Sequence, residues 1–301
     1  MNKKSQKFVL SLVIFLVAII GTFYQKKDEV KNINKREEVV NTINYDHDLS
    51  VYFIDVGQAD CILVKDNDEY ALIDAGNNED GMKLVNYFKS LNITDFKYVF
   101  GTHAHEDHIG GMDNIIDNFN IENFYMPNAI TTTKTFEDVL DGLDRKKIKF
   151  QTPNVNDDFK LNNATFKVLH IGDNKKDLND TSVVLRLEYG NTSYLLMGDA
   201  TSNVEKDLLN NNINLKSDVL KVGHHGSNYS STIDFLNRVK PEYAIIEVGK
   251  NNSYNHPRQE TLDKLKDINA EVYRTDLDGT IVATSDGNSI KIETIKTDTN
   301  G

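Results

Sequence analysis

Ten residues, Thr102-His103-Ala104-His105-Glu106-Asp107-His108-Ile109-Gly110-Gly111, restrict the folds open to this chain more than any other stretch. They follow an apolar run (Tyr98, Val99, Phe100) that reads as a buried strand. They precede a helix marked by Met112, Ile115, Ile116 and Phe119 at i, i+3, i+4 and i+7. The six residues from His103 to His108 hold three of the chain's eight histidines and two carboxylates. Imidazoles two residues apart on extended backbone project to one side, and Asp107 and His108, past the bend, are free to face a second point. Neutral imidazole and carboxylate are ligands that suit zinc and its borderline neighbours. The alternative is a solvated, histidine-rich loop, which the strand-loop-helix context disfavours.

Such a cluster needs ligands from elsewhere, and the remaining histidines are His47, His170, His224, His225 and His256. Two of them lie in Leu220-Lys221-Val222-Gly223-His224-His225-Gly226-Ser227, where an apolar strand runs into a His-His-Gly turn. A strand end is a place where the sheet fixes a distant ligand well. Between the two stretches, Leu195-Leu196-Met197-Gly198-Asp199 ends another apolar strand in a carboxylate that has one oxygen for each of two cations. Taken alone, Asp199 also reads as a turn residue capping the next helix, a reading that the two flanking stretches disfavour.

Around these stretches the chain reads as strands first and then strands and helices in alternation. Val51 to Ile54, Cys61 to Val64 and Tyr70 to Ile73 predict an antiparallel meander, with Asp55, Gly57, Gln58 and Asp60 in its first turn. A helix with Met82, Val85, Tyr87 and Phe88 on its buried side follows, then the strand before the His cluster. Strands are expected at 165–169 and 219–222, a hairpin around Gly190-Asn191, a strand at 243–248, a helix after Pro257 and a last strand pair from Thr280. This order predicts an α+β domain of two packed sheets with helices outside.

The 301 residues supply ample core, and a net charge of −12 argues against a surface built to wrap nucleic acid non-specifically. The basic run Arg145-Lys146-Lys147-Ile148-Lys149 reads as a solvated helix end. The single cysteine, Cys61, reads as a small buried hydrophobe, and no internal disulfide can form. At the N-terminus, Lys3, Lys4 and Lys7 precede an apolar run from Phe8 to Phe23 without a clean cleavage site. We therefore expect residues 1–24 to be a signal anchor, or a signal peptide if cut, residues 25–47 a polar linker, and residues 48–297 one catalytic body. The body would lie outside the cell membrane, tethered or secreted.

The motifs together carry a resemblance. The pattern His-x-His-x-Asp-His after a strand, a Gly-Asp at a later strand end and a further strand-end His resemble the metallo-β-lactamase superfamily. Phe53-Ile54-Asp55-Val56-Gly57-Gln58-Ala59-Asp60, Asn179-Asp180-Thr181-Ser182-Val183-Val184-Leu185, Gly223-His224-His225-Gly226-Ser227 and Asn252-Ser253-Tyr254-Asn255-His256-Pro257 resemble, in the same order, the hydrolase domain of the ComEC/Rec2 competence proteins. The resemblance covers residues 49–294 and implies a four-layer αββα sandwich with metals at the edge between the sheets.

Carried over residue by residue, it places His103 and His105 on one zinc ion and Asp107, His108 and His224 on a second, with Asp199 between them and Asp74 buttressing the metal loop. Manganese is the alternative metal. Asp107 would orient a hydroxide drawn from a water shared by the two cations. His225, Ser227, Lys221, Tyr254 and His256 are the expected substrate contacts, each with a plain structural reading beside it. Two departures stand out. His105 replaces an Asp common in ComEC-like domains, bringing the site closer to phosphorylcholine esterases of this fold. The third histidine of the first metal is missing, leaving His170, Asn179 or Asp180 in question.

The resemblance implies a metal-dependent phosphodiesterase or nuclease acting on DNA or an envelope polymer, with no obligate protein partner. The alternatives are a cell-envelope phosphorylcholine-type esterase and, in another class, a non-catalytic envelope-binding module. Phe8 to Phe23 is the one membrane-length stretch, so DNA uptake by this chain alone is not expected.

Overall fold

In a computed structural model, the described residues are 46–296 apart from 130, 174–176 and 212. The expected membrane segment and nearly all of the linker lie outside them. The described residues all fall within one compact unit, Ile43–Gly301. None of their helices is long and apolar enough to cross a membrane. The end of the expected linker is already tied to the body, since His47 Nε2 lies 2.6 Å from Asp66 Oδ1 and its carbonyl accepts a hydrogen bond from the Tyr189 hydroxyl.

In chain order the strands are β1 (Leu49–Phe53), β2 (Ile62–Asp66), β3 (Glu69–Ile73), β4 (Asp95–Phe100), β5 (Asn120–Tyr125) and β6 (Phe150–Gln151). They are followed by β7 (Asp158–Leu161), β8 (Ala164–His170), β9 (Val184–Tyr189), β10 (Thr192–Leu196), β11 (Val219–Lys221), β12 (Tyr243–Ile246) and β13 (Glu271–Arg274). The last two are β14 (Thr280–Ser285) and β15 (Ile290–Ile295). One sheet has the order β15-β14-β1-β2-β3-β4-β5-β6 and the other β13-β12-β11-β10-β9-β8-β7. Each is antiparallel through one part and parallel through the rest, β3 to β6 in the first and β10 to β13 in the second.

Parallel neighbours need crossovers, and here these are the helices Gly81–Ser90, Met112–Asn118 and Lys134–Lys146 on one sheet and Ser202–Asn210, Ile233–Val239 and Gln259–Asp267 on the other. Side chains alternate faces along each strand. In β3, Ala71 and Ile73 therefore join the core between the sheets while Leu72 packs under the helices. In β10, Tyr194 and Leu196 face inward and Leu195 outward. Four layers have three interfaces, and each holds its own apolar cluster. The four-layer αββα sandwich expected from the sequence is the fold observed.

Loops that leave the carboxyl ends of parallel strands are where α/β architectures collect functional groups. The turns after β3 and β4 and those after β10, β11 and β12 meet along one edge of the sandwich. Close backbone approach locks part of this edge. A Cβ on Gly110 would stand 2.2 Å from the backbone nitrogen of Asn78, and one on Gly111 would stand 2.4 Å from the Ala75 carbonyl oxygen. Only glycine lets the segment after His108 lie against the turn that carries Asp74.

Candidate metal centre

Asp74 is the hub on the first sheet. Set at φ +60° directly after β3, it accepts hydrogen bonds from the Thr102 backbone N–H (2.8 Å) and hydroxyl (2.7 Å), and His108 Nδ1 lies 2.7 Å from its Oδ2. The Thr102 hydroxyl, having given its proton to Asp74, is left as an acceptor for His103 Nδ1 at 3.2 Å. On the second sheet, His225 Nδ1 lies 2.9 Å from the backbone carbonyl oxygen of Glu247. Each of these three rings therefore carries a proton on Nδ1 and turns Nε2 inward. Asp74 thus ties together Thr102 and His108, at the two ends of the His cluster.

The inward atoms converge on Asp199, which follows β10 after a left-handed turn at Gly198 (φ +53°). Asp199 Oδ1 is 3.3 Å from His108 Nε2 and 3.6 Å from His225 Nε2. Its other oxygen, Oδ2, is 3.9 Å from His103 Nε2 and 3.8 Å from His224 Nε2. His225 Nε2 is also 3.3 Å from Asp107 Oδ2, and His103 Nε2 is 2.9 Å from His105 Nδ1. Two ligand groups result, Asp107, His108, Asp199 and His225 in one and His103, His105 and Asp199 in the other.

Burial alone pushes the His108 pKa down, but Asp199, Asp74 and Asp107 reverse this and hold it well above the usual histidine value. His225 behaves likewise: against burial, Asp199 and Asp60 lift it to about 10. Against the cost of burial, His108 and His225 hold Asp199 well below the usual carboxylate range. Burial and the neighbouring His108 push His103 well below its ordinary value.

These residues fit a divalent cation. Among the described residues, His108 Nε2, His225 Nε2 and Asp199 Oδ1 are buried yet lack any hydrogen-bond partner. Buried polar atoms left without partners are costly and ask for an explanation. Three such donors facing one another at ligand spacing supply it. Since cation binding at Nε2 must displace a proton from His108 and His225, loading the metal-free protein at pH 7 is expected to release about two protons. Affinity should then weaken as pH falls. Titration calorimetry in buffers of different ionisation heat checks this, and uptake without proton release would refute the charge arrangement.

Several expected placements change. The imidazole that stands with Asp107 and His108 is that of His225, where the sequence favoured His224. Lys221 cannot contact substrate: it is fully buried, and its ammonium donates to Asp60 Oδ2 at 2.6 Å, with Glu247 Oε2 at 3.8 Å. Ser227 is buried too, and its hydroxyl accepts from the Tyr229 N–H. Tyr254 and His256 do reach a cleft of about 690 Å³ that opens onto His105, Asp107 and Asp199, with their rings stacked 5.7 Å apart. Of the residues proposed for the missing position, His170 bonds to the Asp180 carbonyl, and the Asp180 carboxylate accepts from Thr201 and Asn203. Asn179 alone of the three lines the cleft.

Three participants carry no sequence assignment: Thr102, Asp60 and Glu247. Asp60 Oδ1 is 3.2 Å from His225 Nδ1 and Oδ2 is 4.0 Å from His108 Nδ1. It therefore backs a histidine from each sheet. Glu247 had a legible signal, a lone carboxylate inside the apolar run Ala244 to Val248.

A family model described as the metallo-beta-lactamase superfamily matches residues 54–249. The chain is 32% identical over 199 residues to ComE operon protein 3 of Bacillus subtilis, a match covering 66% of this chain and 26% of that protein. It is 41% identical over 106 residues to competence protein ComA of Neisseria gonorrhoeae, covering 35% of this chain and 15% of the relative. The match thus spans about a quarter or less of either relative's length. Among solved structures, the metallo-beta-lactamase fold protein YhfI from Bacillus subtilis superposes with a TM-score of 0.55 at 12% identity, over 79% of this chain and 100% of that one. That likeness is one of fold.

Proposed function

We propose that this chain, which belongs to the metallo-beta-lactamase superfamily and is similar to the ComEC/Rec2 competence proteins, is a phosphodiesterase working with two divalent cations, zinc in the first instance. The observation that carries the reading is Asp199, whose two oxygens each face two imidazole nitrogens. Asp107, His108, Asp199 and His225 would hold one cation, and His103, His105 and Asp199 the other. When bound, such a pair acidifies a coordinated water and takes up the charge that develops on a cleaved phosphoester.

The protein's own part is positional. Asp74, Thr102 and Asp60 keep the rings from swinging and fix their tautomers. Asp107 is the member of its group that reaches solvent, with 29% of its side chain exposed. It would orient the attacking water and accept its proton. Tyr254 and His256, which line the same cleft, would seat the group beyond the scissile bond.

The substrate in this reading is a phosphodiester polymer, DNA or a component of the cell envelope, reached by a body exported or tethered through the N-terminal apolar segment. A second reading has its own support. Glu79 and Glu106 line the same cleft as the exposed Tyr254 ring, and carboxylates beside an aromatic face suit a quaternary ammonium such as that of a phosphorylcholine ester.

Metal analysis combined with turnover of bis-p-nitrophenyl phosphate tests the proposal. Chelation should abolish activity, and Asp107→Asn should lower kcat by about 10²–10³-fold. A metal-free protein, or a metal-loaded one without turnover, would leave the binding-module reading standing, and turnover indifferent to Asp107→Asn would remove Asp107 from the role given to it. Single-stranded DNA, double-stranded DNA and phosphocholine esters, compared side by side, divide the substrate classes.

A further inference from the structure

We infer that His224 fills the position for which the sequence supplies no histidine, so that the adjacent residues His224 and His225 serve different cations, one each side of Asp199. The assignment rests on the two-cation reading above and goes beyond it by naming the ligand that completes the His103/His105 group.

The division of Asp199 is the first argument. Oδ1 is met by His108 and His225, and Oδ2 by His103 and His224 at nearly equal distances, 3.9 and 3.8 Å. Two ligand atoms that share a zinc ion at bond lengths near 2.0–2.1 Å in tetrahedral geometry lie about 3.3–3.5 Å apart. Each imidazole comes within a few tenths of an ångström of that spacing from its Asp199 oxygen; His103, His105 and Asp199 already lie within 4.8 Å of one another, and the His224 ring, which stands outside that group, would close onto it when the cation binds. The second argument is conformational. Neighbours on a strand point to opposite sides and could not both reach one carboxylate. Here His224 (φ 52°, ψ 48°) and His225 (φ 52°, ψ 26°) are both left-handed. This costs a non-glycine residue roughly 1–2 kcal/mol each. One left-handed histidine would suffice to present one ligand. The second is accounted for if its imidazole also has a task, and the His224 N–H, bonded to the Gly198 carbonyl at 3.0 Å, fixes the turn against the loop that carries Asp199.

The competing donors are weaker. His170 and Asp180 are engaged elsewhere. Asn179 lines the cleft and its Oδ1 is buried without a hydrogen-bond partner among the described residues, but a neutral amide oxygen ranks below imidazole for zinc. The two sites also differ in support. His225 rests on the Glu247 carbonyl and on Asp60, whereas among the described residues the His224 Nδ1 has no hydrogen-bond partner and its ring has edge contacts with His256, at 5.6 Å, and His225, at 6.4 Å. The Asp107/His108 site should therefore fill first and the His103/His105/His224 site second.

The test is cation stoichiometry and cobalt spectroscopy on the full chain. The wild-type protein, loaded and dialysed, should retain two equivalents. His224→Ala should retain one, with the second bound at least about 100-fold more weakly, while Asn179→Ala should retain two. Cobalt-loaded His224→Cys should show a thiolate-to-cobalt charge-transfer band tied to the second equivalent, a signature that only direct coordination produces and that does not depend on how His224→Ala folds. Two equally tight equivalents in His224→Ala, or no charge-transfer band in His224→Cys, overturns the assignment alone. Fewer than two equivalents in the wild-type protein overturns the two-cation reading beneath it.

Discussion

Replacing Asp199 with asparagine is expected to empty both cation positions and to reduce phosphodiester turnover by at least about 10³-fold, the largest functional loss available from one atom exchanged for another of similar size. The carboxylate presents one oxygen to each set of imidazoles. An amide keeps its shape but offers a single neutral oxygen and an N–H₂ that points at an imidazole nitrogen. Metal content should fall in step with turnover, by more than the 10–100-fold in affinity that outer partners of a metal site contribute. A variant that kept two cations while losing activity would mean that Asp199 does not bridge.

The largest loss of stability is expected from Lys221→Met, which should cost about 3–5 kcal/mol, the range seen when one partner of a buried ion pair is removed. Lys221 is fully buried and bonded to Asp60, itself fully buried. Burial disfavours charge on Lys221, yet Asp60 and Glu247 raise its pKa above the ordinary lysine value. Burial and the neighbouring Asp60 hold Glu247 well above the usual carboxylate range. The charge that methionine would deprive of its lysine is accordingly that of Asp60, left with the His225 imidazole at 3.2 Å. Urea denaturation checks the magnitude, and Asp60→Asn combined with Lys221→Met should recover part of the loss. If Lys221→Met unfolded at the wild-type urea midpoint, the pair would be no structural keystone.

Much of this arrangement is legible in the sequence. The unbroken apolar residues at 71–73 and 194–196 predict strands with two buried faces, and strands buried on both faces require layers on either side. The cluster from His103 to His108 is legible because extended backbone with period two leaves few choices for where the imidazoles point. What the sequence hides depends on backbone that departs from these periods. Choosing His224 over His225 as the partner of Asp107 assumes that the residue nearest the strand inherits its direction, and two consecutive left-handed residues void the assumption. Lys221 misleads for another reason. A lysine inside an apolar strand reads as exposed until its counter-charge is found, and that counter-charge, Asp60, lies 161 residues earlier.

The edge-on meeting of the two sheets has a consequence for assembly. The turns after β3 and β4 bring Asp107 and His103, whereas those after β10 and β11 bring Asp199 and His225, so neither half of the sandwich holds a complete ligand group. A bound cation would act as a rivet across the seam, closing a loop of about ninety residues or more whose ends drift apart in the unfolded chain. The centre thus reports on the closure of the whole sandwich, and any substitution that parts the layers, however far from the histidines, would be felt there first.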